Sequence, residues 1–200
     1  MDSAAPDWNV LLVDQLDWHW RNQLRPRLDG LTDDEYLWEP VPDCWSVRPR
    51  GSGRAPIEAG TGEFRLDLAW PPPDPGPVTT IAWRLGHVIT GVLGARTASH
   101  FGGPPVDLAG RDFPFSGTAD GALAQLDAAY AAWRDGVRGL GAEGLARPCG
   151  PKEGPYAKEP LAALVLHINR EVIHHGAETA LLRDLYRARH VAPGGGTLPD

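Results

Sequence analysis

The 24 glycines and 20 prolines of this 200-residue chain are unevenly placed, and that placement constrains the fold more than any other feature. Both residues disfavour a helix interior, glycine through backbone entropy and proline through its missing donor and its ring. They crowd into a few stretches and leave four long windows, each with apolar residues at helical spacing. The first runs from about Asp7 to Leu28, where Trp8, Leu12, Leu16 and Trp20 step by four. Asp7 can cap its start, and Pro26 and Gly30 mark its end. A second should run from Thr79 or Thr80 to Phe101, closed by Gly102-Gly103-Pro104. The third, about Thr118 to Leu140, carries the cleanest stripe: Leu123, Leu126, Tyr130, Trp133, Val137 and Leu140. After a Gly/Pro-rich connection from Arg147 to Pro155, the fourth spans about Pro160 to Arg189.

Four such helices, each with one apolar face, predict an all-α four-helix bundle. The stretch from Thr32 to Pro77 has no helical period. Inside it, Phe64-Arg65-Leu66-Asp67-Leu68-Ala69-Trp70 alternates as a half-buried strand does, and a partner is expected near Trp45-Ser46-Val47. Residues 41–77 are therefore expected to form a loop with a small β-hairpin between the first and second helices. A connection this long permits a crossover, and hence an up-down-down-up order. The expected organisation is a single domain over residues 1–189, with a disordered tail at 190–200.

Composition narrows the function classes. A net charge of −7 without a basic run argues against a nucleic-acid or anionic-membrane partner. No apolar run approaches the ~20 residues needed to span a bilayer. The acidic N-terminus is no signal peptide, and two cysteines are too few for a disulfide framework, so a cytoplasmic setting is expected.

The fourth window carries the chemistry. Its apolar stripe of Leu161, Leu164 and Ile168 continues through Glu171 and His175 to Leu182 and Tyr186. Glu171 and His175 are one turn apart and fall on the inward face. Burying both is costly unless something pairs them, and a metal ion would do so. A third ligand has to come from another helix, and His87 on the second is the best candidate, on a face shared with Thr80, Trp83, Gly91 and Gly94. Two imidazoles and a carboxylate suit zinc, nickel, iron or manganese and leave coordination positions open. The bland readings stand beside this: a lone helical histidine is more often a hydrogen-bonded core residue, and Glu/His at i, i+4 is a common surface pair. His174 falls at the edge of the stripe. His167, one turn before Glu171, fits a ligand or an outer donor to one. His19 has less support, and His100 and His190 read as solvated.

These residues resemble the DinB superfamily of metal-binding four-helix proteins. Arg170-Glu171-Val172-Ile173-His174-His175 is similar to the mycothiol-dependent maleylpyruvate isomerase branch, which uses His, Glu and His where other members use three histidines. Trp45-Ser46-Val47 is similar to the family's short tryptophan motif after the first helix. The resemblance implies His87, Glu171 and His175 as ligands of a divalent metal, zinc or nickel first. It also implies a transferase that uses a low-molecular-weight thiol, of mycothiol or bacillithiol type, on a small electrophile. His167, His174, Arg84, Arg170 and Trp45 are then expected around the ion or the substrate. Such an enzyme would work as a monomer or homodimer, with a small thiol and an electrophile as its partners. A metal-dependent hydrolase, and a non-catalytic metal-binding or stress-response protein of the same fold, are the competing expectations.

Overall fold

A computed structural model describes residues 5–190 of the chain. The first bundle helix starts at Trp8–His19, passes through a π-helical turn at Trp20–Leu24 and ends in a last turn at Arg25–Arg27. Asp7 caps it, its Oδ1 accepting from the amides of Asn9 at 3.0 Å and Val10 at 3.2 Å. The second is likewise composite: Ile81–His87, a π-helical stretch at Val88–Gly94, then Ala95–His100. Its cap is Thr80, which accepts from the Trp83 amide. The third (Ala119–Arg138) is capped by Thr118, and the fourth is an unbroken helix over Leu161–His190. All four begin and end within a few residues of the positions that spacing and caps predict. The expected tail begins at His190, which instead closes the fourth helix; residues 191–200 lie outside the described residues.

Side-chain pairs fix the directions. On the first and third helices, Asp17 accepts from Tyr130 Oη at 2.6 Å, Arg25 pairs with Asp127, and Asn9 donates to the carbonyl of Arg138. Ascending numbers meet descending ones, so these two run antiparallel. The first and fourth run parallel, with Asn169 donating to the Leu12 carbonyl and Arg27 pairing with Asp184. The second and fourth are antiparallel, since Arg84 meets Glu178 while residues beyond His87 approach the start of the fourth helix. The order is up-down-down-up, and the first and second helices both pack on the third and fourth. At the centre, Trp20 stacks on Tyr130 with centroids 3.8 Å apart, and Trp133 is almost wholly buried. Such a stacked pair adds about 0.5–1.5 kcal/mol beyond its buried area.

The excursion is richer than a hairpin. Three short antiparallel strands, β1 (Val47–Pro49), β2 (Ile57–Ala59) and β3 (Phe64–Leu68), form a sheet in the order β1-β3-β2. The expected pairing of the Trp45–Val47 region with the 64–70 segment is present, as Val47 opposite Leu66. β2 was not foreseen, because three residues beside Pro56 and Gly60 carry no alternation to read. Buried Asp67 is the hub of this sheet. Its carboxylate accepts from the amides of Ser46, Arg54 and Ala55 and from Arg48 Nε.

A short helix, Asp33–Leu37, also lies in the stretch read as lacking helix. A capping box between Thr32 and Glu35 starts it. One turn is too short to establish a period. Its Glu35 is buried beneath Arg183 and Arg187 of the fourth helix, at 3.1 Å each, so the sheet-bearing excursion is clamped to the far end of the bundle.

Candidate metal centre

The site is built from the first two turns of the second helix and the middle of the fourth. Trp83 and His87 are one turn apart, and their rings stack at 5.4 Å with a 15° interplanar angle. Trp83 is itself held, because its Nε1 donates to the backbone carbonyl of Asp67 in β3 at 2.7 Å. The sheet thereby sets the plane of the imidazole. On its other side His87 meets His175 edge-on, with centroids 4.9 Å apart. Glycine at position 91 matters here: a Cβ would stand 3.2 Å from His87 Nδ1 and 3.1 Å from the Leu108 carbonyl. That room is kept for the imidazole.

The fourth helix contributes a ladder of polar groups. Arg170 donates to His167 Nδ1 at 2.8 Å, and the same nitrogen is 3.5 Å from Glu171 Oε1. Glu171 Oε2 is 3.5 Å from His175 Nε2. The other nitrogen, His175 Nδ1, lies 2.7 Å from Glu178 Oε2, and that oxygen is 3.1 Å from Arg84 Nε. His174 Nε2 stands 3.4 Å from Glu178 Oε1. Glu178 is thus the point where both helices and both adjacent histidines meet. Burial, then the neighbouring His175 and Arg84, push the His87 pKa down to about 4, so at neutral pH its imidazole is uncharged. Burial also lowers the Arg84 pKa, against the pull of Glu178.

Glu171 and His175 are spaced as two donors to one divalent ion would be. Two donors bound at about 2.1 Å to one tetrahedral ion stand about 3.4 Å apart, and Glu171 Oε2 and His175 Nε2 are 3.5 Å apart. His87 supplies a neutral imidazole beside them, engaged by rings. Among the described residues, the group of three whose donor atoms all lie within 4.8 Å of one another is His174, His175 and Glu178, and not His87, Glu171 and His175. In it, however, the 2.7 Å contact of His175 Nδ1 with Glu178 is that of a hydrogen bond, shorter than two ligands of one ion keep. His174 is also turned to solvent, its side chain 63% exposed. A carboxylate on the far nitrogen of a histidine is the usual means of fixing the tautomer of a metal ligand. Glu178 is placed as such a carboxylate is, on His175 Nδ1.

A cavity of about 550 Å³ opens on His87 and Arg84. Its walls are mostly apolar: Trp45, Leu66, Leu68, Trp70 and the prolines that follow. Trp70 stands 80% exposed.

A sequence model of the DinB superfamily matches residues 59–179, more than half of the chain and all of the ladder from His167 to Glu178. The chain belongs to the DinB superfamily. No curated protein matches it, and no solved structure does.

In this DinB-superfamily protein the sequence-predicted residues are unequally placed. His87 and Glu171 each reach His175, while a separate donor combination forms around Glu178. Trp45 lines the cavity, bridged to Thr79 at the head of the second helix. Arg84 faces the cavity too, but the carboxylate it holds is the protein's own Glu178. Arg170 is largely exposed and serves His167. His19 stays with Gln23 of its own helix. His100, read as solvated, is not: its side chain is 7% exposed and its Nε2 sits 2.9 Å from buried Glu153. The connection before the fourth helix folds back over it as a 3-10 turn at Pro151–Tyr156, which no local pattern announces. Glu178 is the residue that sequence reasoning missed, although its position three and four residues after the paired histidines was a usable signal.

Proposed function

We propose that this DinB-superfamily protein binds a divalent metal through His87, Glu171 and His175, and that the loaded protein transfers a low-molecular-weight thiol to a small electrophile. The supporting observation is the position of His87: its uncharged imidazole lines an apolar cavity large enough for a small substrate and meets His175 edge-on, with Glu171 3.5 Å from that second imidazole. The similarity of Arg170-Glu171 and His175 to the mycothiol-dependent maleylpyruvate isomerase branch adds the thiol. A bound zinc or nickel ion lowers the pKa of a thiol, so that the nucleophilic thiolate is available at neutral pH.

The chain's own part is positional. Glu178 holds His175 Nδ1, which leaves Nε2 directed at the Glu171 side. Trp83 fixes the His87 ring, and the tryptophan and proline wall excludes water from an apolar electrophile such as an epoxide, an activated olefin or an alkyl halide. Neither cysteine competes as nucleophile, since burial raises the pKa of both Cys44 and Cys149.

The test is to purify the protein without added metal, measure bound metal by elemental analysis, and assay conjugation of mycothiol and bacillithiol to each electrophile class. The wild type should hold about one ion per chain and accelerate conjugation. His175→Ala and His87→Ala should lose both. Metal-loaded protein that conjugates none of these electrophiles with either thiol would remove the transferase reading. Ester hydrolysis without any thiol would then point to the hydrolase instead.

A further inference from the structure

A second cavity, of about 450 Å³, lies at the other end of the contact between the second and fourth helices. Its lining is charged where the first is apolar. Arg96, from the last turns of the second helix, is the deep cation. Its Nε is buried without an aligned acceptor, 3.3 Å from Glu153 Oε2. Glu153, 5% exposed, is shared: its other oxygen is taken by His100 at 2.9 Å. One carboxylate thus lies between two basic side chains, and Arg96 keeps a buried N–H without an aligned acceptor at the wall of the cavity. Arg170 stands in the same wall, with its side chain 68% exposed, and exposed Glu159 adds an anion.

Burying an Arg–Glu–His cluster is costly, and apolar side chains of the same volume would close this end of the bundle at least as well. A guanidinium with an open edge at a cavity is suited to forked recognition of a carboxylate. We propose that this cavity is a second ligand site, for a small amino-dicarboxylate, with Arg96 and Arg170 holding its two carboxylates and Glu159 its ammonium group. The charge pattern carries the assignment: two cations and one free anion line a space that holds such a molecule with room left. The site does not require a metal, although Arg170 also touches His167 and lies 3.8 Å from Glu171.

L-glutamate is the probe, titrated calorimetrically into the full chain. Saturable binding of one molecule per chain is expected, with γ-aminobutyrate, which lacks one carboxylate, binding more weakly. Arg96→Lys keeps a cation beside Glu153 but loses the fork, and should weaken binding at least about tenfold. Arg170→Gln and Glu159→Gln, at exposed positions where folding is not at stake, should each weaken it several-fold. Absence of saturable binding to the wild type overturns the proposal, as does wild-type binding by all three variants. His87→Ala and chelator-treated protein should bind glutamate as the untreated wild type does. Binding that disappears with the metal would mean that the probe was ligating the ion, which also overturns it.

Discussion

At the scale of single residues, Glu178 decides which nitrogen of His175 is presented and which pair of helices is held together. Its carboxylate lies 2.7 Å from His175 Nδ1 and pairs with Arg84 at 3.1 Å, while His174 stands at 3.4 Å. If it orients rather than ligates, Glu178→Gln should weaken metal binding by about 10–100-fold, and His174→Ala should change it little. Competition titration with a chromogenic chelator measures both, and a His174→Ala protein that binds no metal would transfer the site to the outer combination. His87 gives a pH signature. In metal-free protein its pKa falls from the ordinary histidine range to about 4, so between those values the unfolded chain binds the proton more readily. Stability therefore decreases as pH is lowered from about 6.5 to 4, by at most about 3 kcal/mol for this group. Urea denaturation of metal-free wild type and His87→Phe at pH 7 and pH 4.5 checks it: the wild type should lose the more. Helical phase was enough to single out Glu171 and His175. It could not show that Trp83 and the Asp67 carbonyl set the plane of His87, because that contact joins residues brought together only by the fold.

At the scale of elements, the long helices were legible because each carries a stripe and the first three a cap: Asp7, Thr80 and Thr118 all accept from backbone amides in the first turn that follows. The short elements were not. β2 and the Asp33–Leu37 helix are one turn or three residues long and owe their existence to tertiary partners. For that short helix the partner is the Arg183–Glu35 ion pair, with Arg183 only 1% exposed. The burial of Glu35 works against its charge, yet the hydrogen bonds from Arg183 and the Thr32 amide prevail and hold its carboxyl below the usual range. Removing one member of a buried pair leaves the other without compensation, so Glu35→Ala should destabilise the protein by about 3–5 kcal/mol. The urea midpoint should fall accordingly; a midpoint near that of wild type would show that Arg183 finds another acceptor, such as the Arg27 carbonyl it already touches.

At the scale of the molecule, the up-down-down-up order sets the second and fourth helices side by side and antiparallel, which is what brings His87 to His175. The bundle could be read from the sequence, and so could the face that carries Glu171 and His175. The order of helices could only be left open, because both topologies satisfy four amphipathic stripes equally well. Of the apolar cavity, the walls given by Trp45 and the 64–70 segment could be read and the later part of the 69–77 loop could not; the charged cavity could not be read at all, since it depends on the turn at Pro151–Tyr156. Asp67 gathers the amides of Ser46, Arg54 and Ala55 on its side chain and Trp83 on its carbonyl. The backbone that orients His87 is thereby fastened at one residue, while Trp70 and the prolines beyond it hang outside that fastening. Insertions or exchanges in the 69–77 loop would reshape the apolar wall and leave the imidazole where it is. A lineage built on this plan could reshape the cavity by altering the loop alone, with the His87 end inherited unchanged.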